Sequence, residues 1–532
     1  MADALGMTSE RRTWLVSIVG CAIALALPSA ASAKDYCVDT ACPGTNVDSI
    51  EQALDFSDDD SILDRIFLGP SVYTAKNPWG FDYNGGPIEI IGAGRGKTIL
   101  TAAASSTSIL SLATTKETSS IHDLTIRVPA WADQGMVGLR TINDVRRVDV
   151  TQDPKQLKDH TGVQIWNGAA LEDSRVDMGS DGTAVVFYSG GGAVRDSTLR
   201  GRVGVKSVYG DLAIERSTIT AYDAGLQAER KLTTISDSLV HLASYSNGTG
   251  IRADTQAGSG SDVTVKADGV TVVVPPFQIY NGVSASTFNA PGLNAEVDLT
   301  NSVIRGGGTP LSAYAAGMGG ATVKAAYSDY DPTGNKKLGV SAGIYESDVS
   351  NVGDAGFVDA ANGDFHLLPT SELLDMGDPA TAQGLDLDGK PLVADGDADG
   401  GARRDLGAYE LQPPAPAGGE PGGGEPAGGQ PAPDTVAPVI TGFRRRGTRL
   451  RYSLSEPARV ALRIKRARNG RYRTIATLTR RGAAGANTIR FTGRVGRRAL
   501  RPGRYRAVLT ATDAAGNRSA PRAIRLRIAR VR

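Results

Sequence analysis

Short runs of alternating apolar and polar residues fill the first two-thirds of the chain, and one unit recurs within them. The unit is an apolar residue, a variable residue, Asp or Asn, Ser, a variable residue and a second apolar residue. Its copies are Ile121–Ile126 (with Leu in place of Ser), Leu171–Val176, Val194–Leu199, Ile214–Ile219 (with Arg in place of Asp), Ile235–Val240 and Leu299–Ile304, with weaker copies around Asp144 and Ala267. A second series lies between them at Gly138, Gly162, Gly204, Gly225, Gly250 and Gly282. Two short strands per repeat predict a solenoid of parallel strands.

The polar residue at the centre of each unit has two interpretations. A stacked row of Asp is either a ladder of structural turns, in which each side chain accepts backbone N–H groups, or a stripe that binds cations. Because Arg216, Ala267 and Asn301 interrupt the row, we favour the turn ladder.

The rest of the chain divides by composition. Asp48–Glu51 fits a capping box that opens a short helix through Ile50, Ala53 and Leu54, a cap for the open end of the solenoid. Residues 412–433 are almost entirely Pro, Gly, Ala and Glu, which is typical of a flexible linker. Seven alternating segments between 437 and 532 predict a small β-sandwich. The expected order is a signal peptide (1–33), an N-terminal cap with the first strands (34–87), coils (88–330), an Asp/Gly-rich tail (331–411), the linker (412–433) and the sandwich (434–532).

The first 33 residues indicate export. Arg11 and Arg12 precede an apolar run and a small-residue cleavage pattern ending at Ala33. Both the general and the twin-arginine secretion routes fit this start. We therefore expect a secreted or surface-associated protein with no transmembrane anchor in its mature form. Cys37 and Cys42 are then the two remaining cysteines, and an even pair in an exported chain predicts a local disulfide.

Charge is strongly divided between the two ends of the chain. Residues 434–532 contain 27 Lys and Arg against three Asp and Glu, a net charge of +24, whereas the other residues carry −23. Arg alternates with apolar residues there, which places it on solvent-facing sides of strands. This domain is expected either to bind an external polyanion or to neutralise the acidic solenoid, and we favour the polyanion. The candidate binding residues are Arg449, Arg451, Arg463, Arg473, Arg504, Arg506, Arg525 and Arg527.

Two parts of the sequence resemble known families. The segments Gly363–Ser371, Leu374–Pro379, Asp386–Pro391 and Arg404–Glu410 are similar to the tail of exported bacterial β-helix proteins of the choice-of-anchor Q type. With the repeats, this resemblance implies an all-β protein: a right-handed parallel β-helix of the pectate-lyase-like superfamily, followed by a flexible linker and a small β-sandwich. Asp513–Asn517 resembles the last hairpin of bacterial immunoglobulin-like or fibronectin-III-like modules.

The chain contains four histidines, and none belongs to a recognisable acid–base pair, so the catalytic residues are unknown.

Asp395, Asp397 and Asp399, followed by Gly400, match the first half of a calcium loop, although Leu406 stands where a full loop has Glu. An acidic loop without a metal fits equally well.

We expect a monomeric, non-catalytic protein that binds carbohydrate or a cell surface, and no nucleic acid partner. The alternative is a polysaccharide lyase or glycoside hydrolase acting in the β-helix groove.

Overall fold

A computed structural model describes the chain from Ala33 to Ile528 with gaps. The described residues are 33–57, 62–102, 106–114, 119–129, 135–153, 159–243, 247–255, 260–276, 280–288, 292–381, 383–397, 402–413, 438–446, 449–455, 458–468, 471–482, 485–491, 494–495, 498–500, 503–512, 518–519 and 522–528. The chain separates into two compact units, residues 1–414 and 415–532. The predicted signal peptide and nearly all of the linker lie outside the described residues.

The first unit is a parallel β-helix, as the repeats predicted, but its strands stack into three ladders, whereas the repeats indicated two strands per coil. Ladder 1 contains Asp35–Val38, Asp64–Leu68, Ile88–Gly92, the first parts of Ser120–Val128 and Asp144–Gln152, Ala170–Glu172, Gly192–Arg195, Leu212–Glu215, Lys231–Ser236, Val263–Asp268, Ala295–Thr300, Ala321–Ala326 and Ala342–Ser347, with Thr45–Val47 beside its first strand. Ladder 2 contains Val72–Ala75, Ile99–Ala102, the second parts of Ser120–Val128 and Asp144–Gln152, Arg175–Asp177, the first parts of Thr198–Ser207 and Thr218–Ala228, Leu239–Leu242, Thr271–Val273 and Val303–Arg305. Ladder 3 contains Phe81–Tyr83, Ser108–Leu112, Val137–Thr141, Thr161–Ile165, Thr183–Phe187, the second parts of Thr198–Ser207 and Thr218–Ala228, Thr249–Asp254, Asn281–Ser286, Thr309–Tyr314 and Lys336–Leu338.

The ladders extend beyond both predicted limits of the coils. Ladder 1 begins at Asp35, inside the predicted cap, and ends at Ser347, past the expected boundary at Tyr330. The helix Ile50–Phe56 buries Ile50, Ala53 and Leu54, as predicted, but its N-cap is Ser49 rather than Asp48. The Ser49 side chain accepts the N–H of Gln52, and the Gln52 side chain accepts the N–H of Asp48, so the capping pair is displaced by one residue. The Cys37–Cys42 disulfide is confirmed.

The repeated Asp occupies the corner between ladders 1 and 2, where the backbone takes a left-handed conformation. Asp173, Asp196 and Asp237 have φ values of 43°, 48° and 48°. Asp and Asn tolerate this conformation better than most side chains because they hydrogen-bond to the local backbone. In the coils of the two weaker copies the corner residues are Arg147 (φ 51°) and Gly269 (φ 64°), so the assignments to Asp144 and Ala267 were wrong.

The serine that follows the corner residue is buried and links neighbouring coils. Ser197 accepts the backbone N–H of Ser174 at 3.1 Å, and its hydroxyl donates to the carbonyl of Arg195 at 2.7 Å. Ser174, Ser217, Ser238, Ser302 and Ser328 make the same two kinds of bond. Each hydroxyl therefore satisfies backbone groups that the sharp corner removes from the ladder hydrogen bonds. The repeat is a structural turn ladder.

The glycine series lies in ladder 3 and makes room for side chains from ladder 2. A Cβ atom at Gly225 would be 2.2 Å from Cγ1 of Val240, and one at Gly204 would be 2.2 Å from Cγ2 of Ile219. Gly162, Gly250 and Gly282 face Val176, Val272 and Ile304 in the same way. The narrow interior of the coil therefore has no room for a side chain at these positions.

The second unit is a β-sandwich with one shared core. A three-stranded antiparallel sheet contains Ile440–Arg446, Arg449–Leu454 and Gly485–Arg490. A four-stranded antiparallel sheet contains Arg471–Gly482, Ala458–Arg468, Gly503–Thr512 and Arg522–Ile528 in that order. A short hairpin pairs Arg494–Val495 with Arg498–Ala499. These include all seven predicted strands, and Leu450, Leu462, Ile489 and Leu509 belong to one buried cluster between the sheets.

Candidate functional site: a polar cleft beside the β-helix tail

The tail after the last coil folds back over the corner between ladders 1 and 2. Arg404, only 2% exposed, donates to Asp237 at 2.5 Å and to Asp268 at 3.3 Å, in two successive coils. The backbone N–H of Gly407 donates to the carbonyl of Asn301 at 2.8 Å. Gly407 has φ 101°, and a Cβ there would be 2.5 Å from Oγ1 of Thr271, so this close approach needs glycine. These contacts fix the tail against the solenoid.

Acidic residues of the tail motifs hold its backbone together. Asp405 accepts the N–H groups of Asp375 and Leu411 at 2.9 and 2.7 Å. Glu410 accepts those of Ala394 and Asp405 at 2.9 and 2.8 Å. Burial raises the pKa of Asp405 to about 7, and burial together with the nearby Asp405 carboxylate raises the pKa of Glu410 to about 8.

These raised pKa values predict that the β-helix loses stability as pH increases. The folded state holds protons that the unfolded chain has already released, so the free energy of unfolding should fall between about pH 4 and pH 8, by on the order of a few kcal/mol. Thermal unfolding between pH 5 and 9 measures this. Glu410→Gln should flatten the dependence between pH 7 and 8, whereas Glu372→Gln, at an exposed glutamate of the tail, should leave it unchanged. A melting temperature that rises through this range would contradict the assignment.

A second set of tail residues forms a chain of alternating acidic and basic side chains beside the solenoid. Nδ1 of His366 lies 2.7 Å from Asp364, and its Nε2 lies 2.9 Å from Asp388. Lys390 donates to the same Asp388 carboxylate at 2.8 Å. The ring of His366 packs against that of Tyr409, with centroids 4.0 Å apart. Burial raises the pKa of Asp388, but hydrogen bonds from Lys390 and His366 outweigh this and lower it overall.

The tail and the solenoid enclose a cleft of about 310 Å³. Its floor is formed by the first residues of two adjacent strands, Thr198–Ser207 and Thr218–Ala228, on the ladder 2 side. Thr198 is exposed and Thr218 is half-buried. Arg216 lies at the corner and makes two hydrogen bonds to Asp196, at 2.8 and 2.9 Å. The complete lining is Asp196, Ser197, Thr198, Arg216, Thr218, Leu387, Asp388, Gly389 and Tyr409. The volume is at the lower end of small-molecule sites, and the lining offers hydroxyl and carboxylate groups with one aromatic ring.

The corner Asp residues of the β-helix, of which Asp196 lines the cleft, are paired with arginine. Asp123 is bound by Arg147 at 2.7 Å, and the bonds of Arg147 and His122 lower the pKa of Asp123 to about 2. Asp173 contacts Arg95 at 3.1 Å. Together with Asp196–Arg216 and Asp237–Arg404, these pairs occupy the row that a cation-binding stripe would require. Arg147 and Arg216 occupy corner positions in this row themselves, and each pairs with the Asp of the preceding corner, Asp123 and Asp196 respectively.

The predicted calcium residues are only partly described. Asp395 is half-buried and Asp397 is exposed, while Asp399 lies outside the described residues. In the described part of the chain, no group of three His, Cys, Asp or Glu side chains is arranged to hold a metal ion. Among nearby carboxylates, Asp405 accepts backbone N–H groups and Asp388 contacts His366 and Lys390.

Calcium binding stays a prediction. If the loop binds calcium, a chelator should lower the melting temperature of the full-length protein, because an ion that binds only the folded state stabilises it. Asp397→Ala should then abolish the response to the chelator, while Asp354→Ala, which changes another exposed aspartate, should retain it. Identical melting curves with and without chelator would identify the segment as an acidic loop.

The candidate arginines of the sandwich divide between its two sheets. Arg449 and Arg451 belong to the three-stranded sheet, and Arg451 is half-buried. Arg463, Arg473, Arg504, Arg506, Arg525 and Arg527 belong to the four-stranded sheet. Among these, Arg463 is half-buried and Arg506 is exposed; the side chains of Arg449, Arg473, Arg504, Arg525 and Arg527 lie outside the described part of the structure.

Sequence reasoning did not identify the cleft. Arg404, Tyr409 and Asp388 lie in the quoted tail motifs, and His366 follows Asp364 by two residues, so the signal was present. Those motifs gave no indication that Asp388 and Tyr409 would lie beside Asp196 and Arg216, roughly 170 to 210 residues earlier in the chain.

Comparisons with known proteins add little about activity. No protein-family model matches the chain, and no curated protein matches it. The solved structures similar to it include the A-module of the mannuronan C-5 epimerase AlgE4 from Azotobacter vinelandii. That match has 14% identity and a TM-score of 0.30, and covers 54% of this chain and 91% of the module. At this level it carries no argument, and the parallel β-helix follows from the strand register above.

Among the described residues, no helix combines the length and the hydropathy needed to span a bilayer.

Proposed function

We propose that this is an exported, non-catalytic β-helix protein that binds polysaccharide in the cleft and attaches through its basic domain to an anionic polymer of the cell envelope or matrix. The observation that carries the proposal is the cleft itself, which exposes threonine hydroxyls and paired charges next to a tyrosine ring. Such a lining suits a polyol, because hydroxyl groups both donate and accept hydrogen bonds. The disulfide is compatible with an oxidising, extracellular location.

The state of the charged groups favours binding over catalysis. A general acid or base works best with a pKa near the working pH and needs a free position facing the substrate. Both ring nitrogens of His366 contact carboxylates, Lys390 contacts Asp388, and Arg216 is bound to Asp196. The pKa of Asp388 is lowered and burial raises the pKa of Tyr409. Asp388 and Arg216, the two of these charged residues that line the cleft, are therefore both held in ion pairs.

The alternative is a polysaccharide lyase or glycoside hydrolase that uses the same cleft. The contact between His366 and Tyr409 favours this alternative, because both side chains can transfer protons and their ring centroids are 4.0 Å apart. We also propose that the tail places the chain with choice-of-anchor Q proteins and that the sandwich is immunoglobulin-like, on the motifs quoted above.

The test is incubation of the full-length protein with neutral and uronate-containing polysaccharides. We expect retention without new unsaturated or reducing ends. Replacing Thr198 and Thr218 together with valine should weaken retention of the glycan bound in the cleft. The matched control replaces Thr264 and Thr322, half-buried threonines of ladder 1, in the same way. Cleavage products that disappear in the first variant only would establish the enzyme instead.

A further inference from the structure

Strand register in the C-terminal domain places basic residues directly opposite one another. In the four-stranded sheet Lys465 is opposite Arg506, and Arg506 is in turn opposite Arg525. Two residues away, Arg504 is opposite Arg527. Neighbouring strands lie about 4.8 Å apart, and like charges placed directly opposite each other destabilise a sheet.

These basic positions belong to the side of the sheet that faces away from the core. Leu462, Ile464, Tyr505, Ala507 and Leu526 are buried in the sandwich core. The alternating positions on the same three strands are therefore on the outer side. We call them the outer basic face, and its members are Arg463, Lys465, Arg504, Arg506, Arg525 and Arg527.

The four strands of this sheet contain no Asp or Glu. The β-helix of the same protein shows the opposite arrangement. On ladder 1, Arg195 lies between Glu172 at 3.0 Å and Glu215 at 3.3 Å in successive coils. A sheet that keeps rows of like charge bears a cost in stability, and a bound polyanion would remove that cost.

We propose that the outer basic face binds a linear acidic polysaccharide that runs across the strands along the rows Lys465–Arg506–Arg525 and Arg504–Arg527. This inference rests on the basic-domain attachment in the proposed function and assigns it to one face and one class of partner. The guanidinium group forms two parallel hydrogen bonds with a carboxylate, and equally with a phosphate. The outer positions of these three strands carry no aromatic residue, and single-stranded nucleic acids are usually bound with aromatic stacking.

The test uses the full-length protein with polygalacturonate, inorganic polyphosphate and double-stranded DNA as probes. The face variant is Lys465→Gln, Arg506→Gln and Arg525→Gln combined. The matched control, Arg444→Gln, Arg445→Gln and Arg518→Gln, removes the same three charges from exposed residues outside the four-stranded sheet. We expect the face variant to bind polygalacturonate about tenfold more weakly and the control to change affinity by less than about twofold. The melting temperature of the face variant should stay equal or rise, because repulsion is relieved.

Each other outcome overturns a defined part of the inference. Equal losses in both variants would mean that net charge, rather than this face, determines binding. Binding of polyphosphate without polygalacturonate, or tighter binding of DNA, would overturn the assignment to an acidic polysaccharide. If the unaltered protein binds none of the three probes, the proposed attachment through the basic domain fails as well.

Discussion

Replacing Arg404 with alanine is expected to lower the free energy of unfolding by about 3 to 5 kcal/mol, the cost of breaking a buried ion pair. The guanidinium group is almost fully buried between Asp237 and Asp268, and burial already raises the pKa of Asp237 to about 6. Without Arg404 the Asp237 carboxyl has lost its main counter-charge in a desolvated position, and the tail has lost its contact with two coils.

Chemical denaturation and limited proteolysis of the tail together measure this effect, since the tail should become susceptible before the coils unfold. Arg146→Ala is the matched control, because Arg146 also pairs with a carboxylate, Glu172, at 3.2 Å, but is exposed. The control should cost no more than about 1 kcal/mol. If Arg404→Ala is no more damaging than the control and the tail stays protected, Arg404 does not hold the tail to the solenoid.

Replacing Gly225 with alanine is expected to destabilise the β-helix by about 1 to 3 kcal/mol through overpacking. The new Cβ would lie 2.2 Å from Cγ1 of Val240 and 2.5 Å from the carbonyl oxygen of Gly250. Because the second neighbour is backbone, the strands themselves must move apart. An ordinary Gly→Ala change, in contrast, stabilises a protein slightly by restricting the unfolded chain.

Gly353 provides the comparison, since a Cβ there would meet no atom within 4 Å. Gly353→Ala should therefore leave the melting temperature unchanged or raise it. Parallel thermal unfolding of the two variants and the unaltered protein separates packing from backbone entropy. Equal melting temperatures for all three would show that the coil interior has room at Gly225, contrary to the packing described above.

The architecture was predictable because it depends on local and periodic features. A corner that requires a left-handed residue followed by a buried hydroxyl selects Asp-Ser at each turn, and a crowded strand selects glycine, so both series are visible without a structure. The same holds for the Cys37–Cys42 disulfide and for the seven strands of the sandwich, where apolar residues alternate with arginine. In each case the deciding contacts are made within a few residues or between adjacent repeats.

Errors occurred at the two corners where Arg147-Val148 and Gly269-Val270 replace the Asp-Ser pair of the repeat. Asp144 matches the consensus by type, but the coil is paired so that Arg147 is opposite Asp123 at the corner. Likewise Gly269, not Ala267, takes the left-handed position. Periodicity specifies that a corner recurs, while hydrogen bonding between coils determines which residue occupies it.

The sequence by itself determined the repeat, the strand content, the disulfide and the unequal distribution of charge. Only the tertiary structure brought Arg404 to Asp237, 167 positions away, and set the tail loop opposite Thr198 and Thr218 to form the cleft. It also decided the register of the four-stranded sheet, in which Arg506 is opposite both Lys465 and Arg525. The physical reason is that alternation along a strand gives the side on which a residue lies, whereas its partners depend on how distant segments pack and align.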